Sequence, residues 1–292
     1  MKFPFKTVAL IGKYKTPEIA DPLLRLATFL SGKGVSVVVD KLSAQHLGRH
    51  GYREMALNEM GDEVDLAIVL GGDGTMLNIA RTLAPLGVPL VGVNQGRLGF
   101  LTDISLDTMQ QTIAAMLQGD YVTEQRMLLS TRIERDGVEV FHGQALNEMV
   151  VHRGNAGSMI EIEARIDGEY LYNQRSDGLI VATPTGSTAY AMSAGGPILH
   201  PGLDLIVLVP VCPHALSNRP IVVKSDALLE ILLHRSNSGG ACVRLDSHST
   251  FELRDGDKLE VTRFPLAVCL LHPPGHSYYR TLREKLLWNT TL

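Results

Sequence analysis

Apolar and polar positions along the first third of the chain keep two alternating rhythms. Val8 to Ile11, Val35 to Val39, Asp65 to Leu70 and Val88 to Val93 are short aliphatic-rich runs, the pattern of strands buried in a sheet. Between them, Pro17 to Leu30 places Leu23, Leu26, Ala27 and Leu30 on one face of a helix, and Thr75 to Leu83 and Leu106 to Leu117 also read as helices. A polar stretch, Ser43 to Glu63, separates the second strand from the third. Strands that alternate with helices predict a parallel sheet, and ligands of such sheets bind outside the carboxyl ends of the strands.

From about Val122 the rhythm changes. Leu129 to Arg135 and Val138 to His142 flank Asp136-Gly137, Ile160 to Ile166 and Tyr170 to Tyr172 flank Asp167-Gly168, and Phe251 to Leu253 and Lys258 to Thr262 flank Asp255-Gly256. Asp-Gly between alternating runs signals a hairpin, so this part is predicted to be mostly antiparallel β. After Pro273 and Pro274, Tyr278 to Trp288 reads as a helix. The expected organisation is an α/β domain over 1–121, a β-rich domain over 122–274, and a final helix over 275–292 that packs on the first domain.

Length and charge narrow the picture. A chain of 292 residues suits two domains, each able to bury a core. Lys and Arg number 27 against 31 Asp and Glu, a net charge of −4, which argues against a nucleic-acid partner. Cys212, Cys242 and Cys269 have no paired spacing and read as reduced core residues, with neither a disulfide framework nor a zinc site. No signal-peptide core follows Lys2 and Lys6, and the longest apolar run, Leu205 to Pro213, is too short to cross a bilayer. The expected location is the cytoplasm, with no membrane partner.

The candidate chemistry starts where an apolar strand runs into Gly71-Gly72-Asp73-Gly74 and then a helix. Glycines there let backbone amides approach an anion, and the helix N-terminus adds partial positive charge. Asp73 repels phosphate, so it suits a hydroxyl or a metal, or a general base that takes the proton of an attacking hydroxyl; a plain N-cap is the bland alternative. Neither G-x-x-x-x-G-K-[ST] nor G-x-G-x-x-G occurs at this loop. The loop Asn94 to Thr102 falls at the same sheet edge and suits a wall or lid.

Other segments carry misplaced polarity. Asn147 and Glu148 interrupt the apolar run Ala145 to Val151, and an adjacent amide and carboxylate suit ribose hydroxyls or a metal as well as an edge strand facing water. Thr183-Pro184-Thr185-Gly186-Ser187-Thr188-Ala189-Tyr190 concentrates hydroxyls before Ser193-Ala194-Gly195-Gly196-Pro197, a composition that serves phosphate or ribose, or simply a long turn. Arg175 and Asp177 flank the start of that region and would also suit a surface ion pair. His214, His248 and His272 lie singly near β segments and read as satisfied or surface residues.

Taken together, GGDGT at Gly71 to Thr75, Asn147-Glu148, and RSDGLIVATPTGSTAYAMSAGGP at Arg175 to Pro197 resemble the NAD kinase family in order, spacing and content. The GGDG turn alone is shared with diacylglycerol, sphingosine and phosphofructo-kinases. The resemblance implies an enzyme that moves the γ-phosphoryl group of ATP to the 2′-hydroxyl of the adenosine ribose of NAD, giving NADP, with Mg²⁺ or Mn²⁺. It implies a Rossmann-like N-terminal domain, a C-terminal β-sandwich, and a homo-oligomer, dimer or tetramer, whose sites a neighbouring subunit completes. By the same resemblance Asp73 is the proton acceptor and Gly74 lets substrate approach. Asn147 and Glu148 contact the dinucleotide, Asp177 lies near the nicotinamide end, and Thr188, Ala189, Tyr190 and Ser193 form the binding loop. His248 stands where relatives carry a polar residue such as Gln, and Arg175 is the version that discriminates against NADH. A GGDG lipid kinase and a non-catalytic NADP-binding regulator are the alternatives.

Overall fold

The computed structural model of the protein describes residues 4–14, 16–96, 98–154, 159–235 and 240–288. Arg97 of the loop Asn94 to Thr102, and residues 289–292 after the final helix, lie outside them. The chain divides into two compact units, one running to Gln125 and again from Val268, the other Arg126–Ala267.

The first unit opens with β1 (Thr7–Gly12), α1 (Ala20–Gly32), β2 (Ser36–Asp40), α2 (Lys41–Ala44), β3 (Arg53–Met55) and β4 (Leu66–Leu70). It continues with α3 (Asp73–Leu83), β5 (Leu90–Asn94), β6 (Ile104–Ser105) and α4 (Met109–Leu117). Its sheet runs β5-β4-β1-β2-β3, all parallel, and the end of the strand Lys258–His272 joins beyond β5 with Leu270 opposite Leu90. All five residues of β4 are buried, as its aliphatic run requires. Leu66, Ile68 and Leu70 share one core with Leu23, Leu26, Ala27 and Leu30 of α1. At the entry to β4, Asp65 accepts the amides of Lys6 and Thr7 at 2.7 and 2.8 Å. The polar stretch Ser43 to Glu63 conceals β3, an edge strand whose Arg53 and Glu54 are exposed and therefore carry no apolar signal. The helix expected from Pro17 starts as a 3₁₀ turn, Pro17–Ile19, and the one expected from Leu106 starts at Met109.

The second unit is built from antiparallel strands: β7 (Val122–Arg135), β8 (Val138–Ala145), β9 (Glu148–His152), β10 (Ile160–Ile166), β11 (Glu169–Ser176) and β12 (Gly178–Ala182). After the short helix α5 (Tyr190–Ser193) come β13 (Leu205–Val211), β14 (Ile221–Lys224), β15 (Leu229–Arg235), β16 (Cys242–Leu245), β17 (Ser249–Glu252) and β18 (Lys258–His272). One sheet runs β14-β13-β12-β9-β16-β17; the other includes β11-β10-β15-β18, with β7 on β18 and β8 on β7. Side chains from both sheets fill one core, among them Ile160, Ile231 and Leu259 from one and Met149, Val181, Leu208 and Val243 from the other. Alternate positions Val150, Ile180, Ala182, Val207 and Val209 turn to the opposite face, where Ala191 and Leu199 cover them. The α6 helix (Tyr278–Lys285) closes the chain, capped by Ser277 Oγ.

Two of the three expected hairpins form. Asp136 and Gly137 (φ 53° and 79°), and Asp167 and Gly168 (φ 52° and 81°), place both turn residues in the left-handed region that matches strand twist. At Asp255-Gly256 only the glycine has positive φ, and the flanking strands belong to different sheets, β17 pairing with β16 and β18 with β15. The cause is Asp257. Its buried carboxylate accepts Arg254 N at 2.8 Å and two Arg135 nitrogens at 2.7 Å, while Gly256 N donates to Leu233 O, so the segment is fastened to β15 rather than folded back. The cysteine expectation also needs correction: Cys242 is buried, Cys269 is half-buried, but Cys212 is exposed, and all are free thiols.

These burial differences set the expected energetics. Removing the Asp257 carboxylate with Asp257→Ala strands the Arg135 charge and leaves the Arg254 amide without its acceptor, and urea unfolding should register a loss of about 3 kcal/mol or more. Glu139→Ala breaks a pair in which both side chains are about half exposed, Arg132 Nε to Glu139 at 2.8 Å, and should cost under about 1 kcal/mol.

Candidate functional site

The glycine turn is shaped by what surrounds each glycine. A Cβ on Gly71 would lie 2.7 Å from Thr75 Oγ1, whereas Cβ atoms on Gly72 and Gly74 would meet nothing within 4 Å. Gly71 therefore serves packing, and Gly72 and Gly74 leave open space at the N-terminus of α3, where free amides and the helix dipole favour an anion.

Asp73 is not the N-cap. Gly72 occupies that position without a side-chain cap, and Asp73 is the first helical residue. Its carboxylate turns to the loop after β5: Phe100 N donates to Oδ2 at 2.9 Å, and Leu101 N and Thr102 Oγ1 donate to Oδ1 at 3.0 and 3.3 Å. The loop closes on itself through Gly99 N to Thr102 O at 2.9 Å and Asn94 Nδ2 to Thr102 O at 3.3 Å. Gly99 is required because its Cβ would lie 2.1 Å from Asp73 Oδ1. A carboxylate has about four acceptor positions, so three donors leave room for one more, on Oδ2.

In the second unit, Asn147 and Glu148 sit at the break between β8 and β9. Asp246 holds that break, accepting the amides of Leu146, Asn147 and Glu148 at 2.8, 2.8 and 3.1 Å while its own amide donates to Glu148 O. Asp246 and Ser247 both have positive φ, 48° and 57°, in the turn after β16. From the other side Thr183 Oγ1 donates to Leu146 O at 2.6 Å, Thr183 N donates to Asn147 O, and a Cβ on Gly186 would lie 2.1 Å from Asn147 O. The Thr-Pro-Thr-Gly-Ser segment is thus packed on the Asn147-Glu148 break; Ser187 Oγ donates to Pro184 O at 2.7 Å and accepts Leu199 N at 2.9 Å.

Glu148 is 4% exposed and its Oε2 accepts no hydrogen bond. Burial, then the Asp246 charge, push its carboxyl up to about 7 against the lowering effect of a hydrogen bond from Tyr190 N. Nearby, Asp177, Tyr190, His152, Arg153, Arg244 and Ser247 line a cleft of about 520 Å³ together with Val150, Gly154 and Val211. Asp177 forms its ion pair with Arg153 at 2.9 Å, not with Arg175, which is exposed on β11. Among the expected site residues of this unit, Asp177 and Tyr190 line the cleft and Glu148 reaches it through Tyr190 N. Arg175, Thr188, Ala189, Ser193 and His248 do not line it. Sequence reasoning missed Asp246 and Arg153; of these, Asp246 carried a signal, as an Asp at a turn between two alternating runs.

A Rossmann-like parallel sheet with GGDG at its carboxyl edge, joined in sequence to an antiparallel sandwich bearing a polar cleft, defines a kinase of the GGDG class. The family model described as the ATP-NAD kinase N-terminal domain matches residues 8–121, and that of the ATP-NAD kinase C-terminal domain matches residues 146–272. The chain belongs to the ATP-NAD kinase family and is an enzyme. It is 59% identical to an NAD kinase of Nitrosomonas eutropha, covering 99% of this chain and 97% of that one. To an NAD kinase of Nitrosospira multiformis it is 60% identical, covering 99% and 98%. Among solved structures, yeast NADH kinase complexed with NADH superimposes with TM-score 0.90 at 25% identity, covering 99% of this chain and 89% of that one. An NAD kinase from Archaeoglobus fulgidus in complex with ATP gives 0.72 at 25% identity, covering 97% of each. The lipid-kinase alternative is not favoured by these matches.

Glu148 yields a test with a defined sign. Its folded value lies above its unfolded one, so between about pH 4.5 and 7 the folded chain binds more protons and stability falls as pH rises. In metal-free buffer without nucleotide, Glu148→Gln should therefore be more stable than the parent at pH 8, by an amount on the order of 2 kcal/mol, with the gap closing toward pH 5. Denaturant titrations at the two pH values check this, and a gap that widens on acidification would contradict the buried, Asp246-facing environment.

Proposed function

We propose that the chain transfers the γ-phosphoryl group of ATP to the 2′-hydroxyl of the adenosine ribose of NAD, producing NADP. The observation that carries this reading is the Asp73 carboxylate, held rigid by three donors with one acceptor position left for a hydroxyl. Relatives over the full chain length are NAD kinases, and the two solved structures hold NADH and ATP. In the first unit, Asp73 orients the 2′-hydroxyl and takes its proton, and the open space at Gly74 admits the ribose. In the second unit, Asn147 and Glu148 bind the dinucleotide, Asp177 and Tyr190 receive its nicotinamide end in the cleft, and Thr188, Ala189 and Ser193 extend the binding loop. Arg175 biases the choice toward NAD over NADH, and His248 is a further polar contact.

A divalent cation, Mg²⁺ or Mn²⁺, fits the hard oxygen donors present, because Glu148 Oε2 is buried and unpartnered and would hold it. When bound, such an ion neutralises the charge that develops on the transferring phosphoryl group. The working form is a homo-oligomer, dimer or tetramer, in which exposed Tyr190 and Ser193 are available to a neighbouring copy. No helix among the described residues is long and apolar enough to cross a membrane, and the cytoplasm is the proposed location.

Two substitutions test the chemistry at this turn. Asp73→Asn should lower kcat for NADP formation by about 10²-fold or more, while calorimetry finds NAD affinity within a few-fold of the parent; near-normal turnover would remove the base role. Gly74→Ala fills open space within a helix and should not lower the melting temperature, because alanine favours helix by about 0.5–1 kcal/mol, yet KM for NAD should rise about tenfold. An unchanged KM would show that substrate does not approach this turn.

A further inference from the structure

The first unit gathers four ionisable side chains that phosphoryl transfer does not use. Asp103 directly follows the loop that grips Asp73, Glu124 lies on β7, His272 ends β18, and His276 precedes α6. Asp103 Oδ2 lies 2.9 Å from Nδ1 of His272 and 2.9 Å from Nδ1 of His276. The other nitrogen of His272, Nε2, lies 3.0 Å from Glu124 Oε2. The two imidazoles stack with centroids 3.9 Å apart and planes 16° from parallel. The side chains of His272, Asp103 and His276 are 2%, 10% and 14% exposed. The second oxygen, Asp103 Oδ1, is buried and has no hydrogen-bond partner.

Hydrogen-bond accounting calls for positive charge at this cluster. In a neutral imidazole one nitrogen carries the proton, and Glu124 can only accept, so it fixes that proton on His272 Nε2. Unless the ring takes a second proton, His272 Nδ1 is then a bare lone pair aimed at a carboxylate oxygen. Two acceptors at 2.9 Å require a positive species between them, either an added proton or a metal ion. His276 aims a second ring nitrogen at the same oxygen, and Asp103 Oδ1 has no donor to satisfy it. Three donor atoms lie within 4.8 Å of one another, drawn from two imidazoles and a carboxylate. A further carboxylate stands behind one imidazole, the outer arrangement that orients metal-bound histidine.

We propose that Asp103, His272 and His276 bind a divalent transition-metal ion of the zinc class, with Glu124 orienting His272. Bonds of about 2.0–2.1 Å in a tetrahedral site separate neighbouring donor atoms by roughly 3.3 Å, so each 2.9 Å contact opens by only about half an ångström and the stacked rings tilt toward the ion. Imidazole nitrogen prefers such a metal over Mg²⁺, which sets this site apart from the oxygen-bound ion of the nucleotide. The bound ion staples Asp103 to His272 across 169 residues of sequence.

Cobalt provides the probe. The full-length chain, stripped with a chelator and returned to chelator-free buffer without nucleotide, is titrated with Co²⁺ and then with Zn²⁺. One equivalent of Co²⁺ should bind with visible d–d absorption and no sulfur-to-cobalt band, Zn²⁺ should bleach it, and Zn²⁺ should raise the melting temperature. Asp103→Asn and His276→Gln, each checked for native circular dichroism, should bind Co²⁺ at least tenfold more weakly and lose the thermal shift. His152→Gln, which removes the imidazole 2.9 Å from Cys242 Sγ, should leave the spectrum unchanged. Absence of stoichiometric Co²⁺ binding in the parent overturns the proposal. So does parental affinity in both cluster variants, or loss of the spectrum in His152→Gln.

Discussion

The carboxylate of Asp73 organises the carboxyl edge of the parallel sheet. Three donors from Phe100, Leu101 and Thr102 converge on it, and the loop that supplies them can approach only because position 99 lacks a Cβ. Hydrogen bonds to a charged acceptor contribute about 1.5–3 kcal/mol each, more than an N-cap contributes, which explains why the side chain leaves its own helix and faces the loop. One group thereby fixes the shape of the wall and its own orientation. A reactive carboxylate held this way needs no reorganisation when a hydroxyl arrives.

The sandwich uses the same device with Asp246, which collects three successive amides at the Asn147-Glu148 break. Here the arrangement has an electrostatic cost. The charge that satisfies the backbone also faces Glu148, and together with burial it holds that carboxyl near neutrality. Asp257 repeats the pattern as the anchor of the crossing between sheets. Carboxylates at chain reversals thus perform the positioning that disulfides perform elsewhere, in a chain whose cysteines are all free.

Much of this was legible in the sequence because it is written in local periodicity. Aliphatic runs separated by helical spacing gave the parallel sheet, and two Asp-Gly turns gave their hairpins through the left-handed preference of both residues. The third Asp-Gly misled because its fate depends on Asp257 and Arg135, far apart in sequence, and no local pattern records such a pairing. Strand β3 escaped notice because an edge strand need not be apolar. At the site, Asp73, Asn147, Glu148, Asp177 and Tyr190 stood out as polarity where apolar or turn residues were expected. Arg153 and Asp246 act through contacts formed only after folding, the first pairing with Asp177 and the second collecting three backbone amides. His272 read as a lone histidine because its partners, Asp103 and Glu124, lie 169 and 148 positions away.

The first unit is discontinuous, interrupted by all of Arg126–Ala267. During synthesis its sheet therefore waits with one side of β5 lacking the strand that ends at His272, while the second unit emerges as a single uninterrupted stretch and can fold as a unit. The order of completion is inverted relative to the order of translation: the part made first is finished last. Until His272 and Tyr278 leave the ribosome, the Asp73 loop is without the Tyr278 ring that lies 6.5 Å from Phe100 and without the Asp103–His272 contact. A chain ending before His272 therefore carries the GGDG turn and the loop that grips Asp73, but neither the ring nor the imidazole that packs behind that loop.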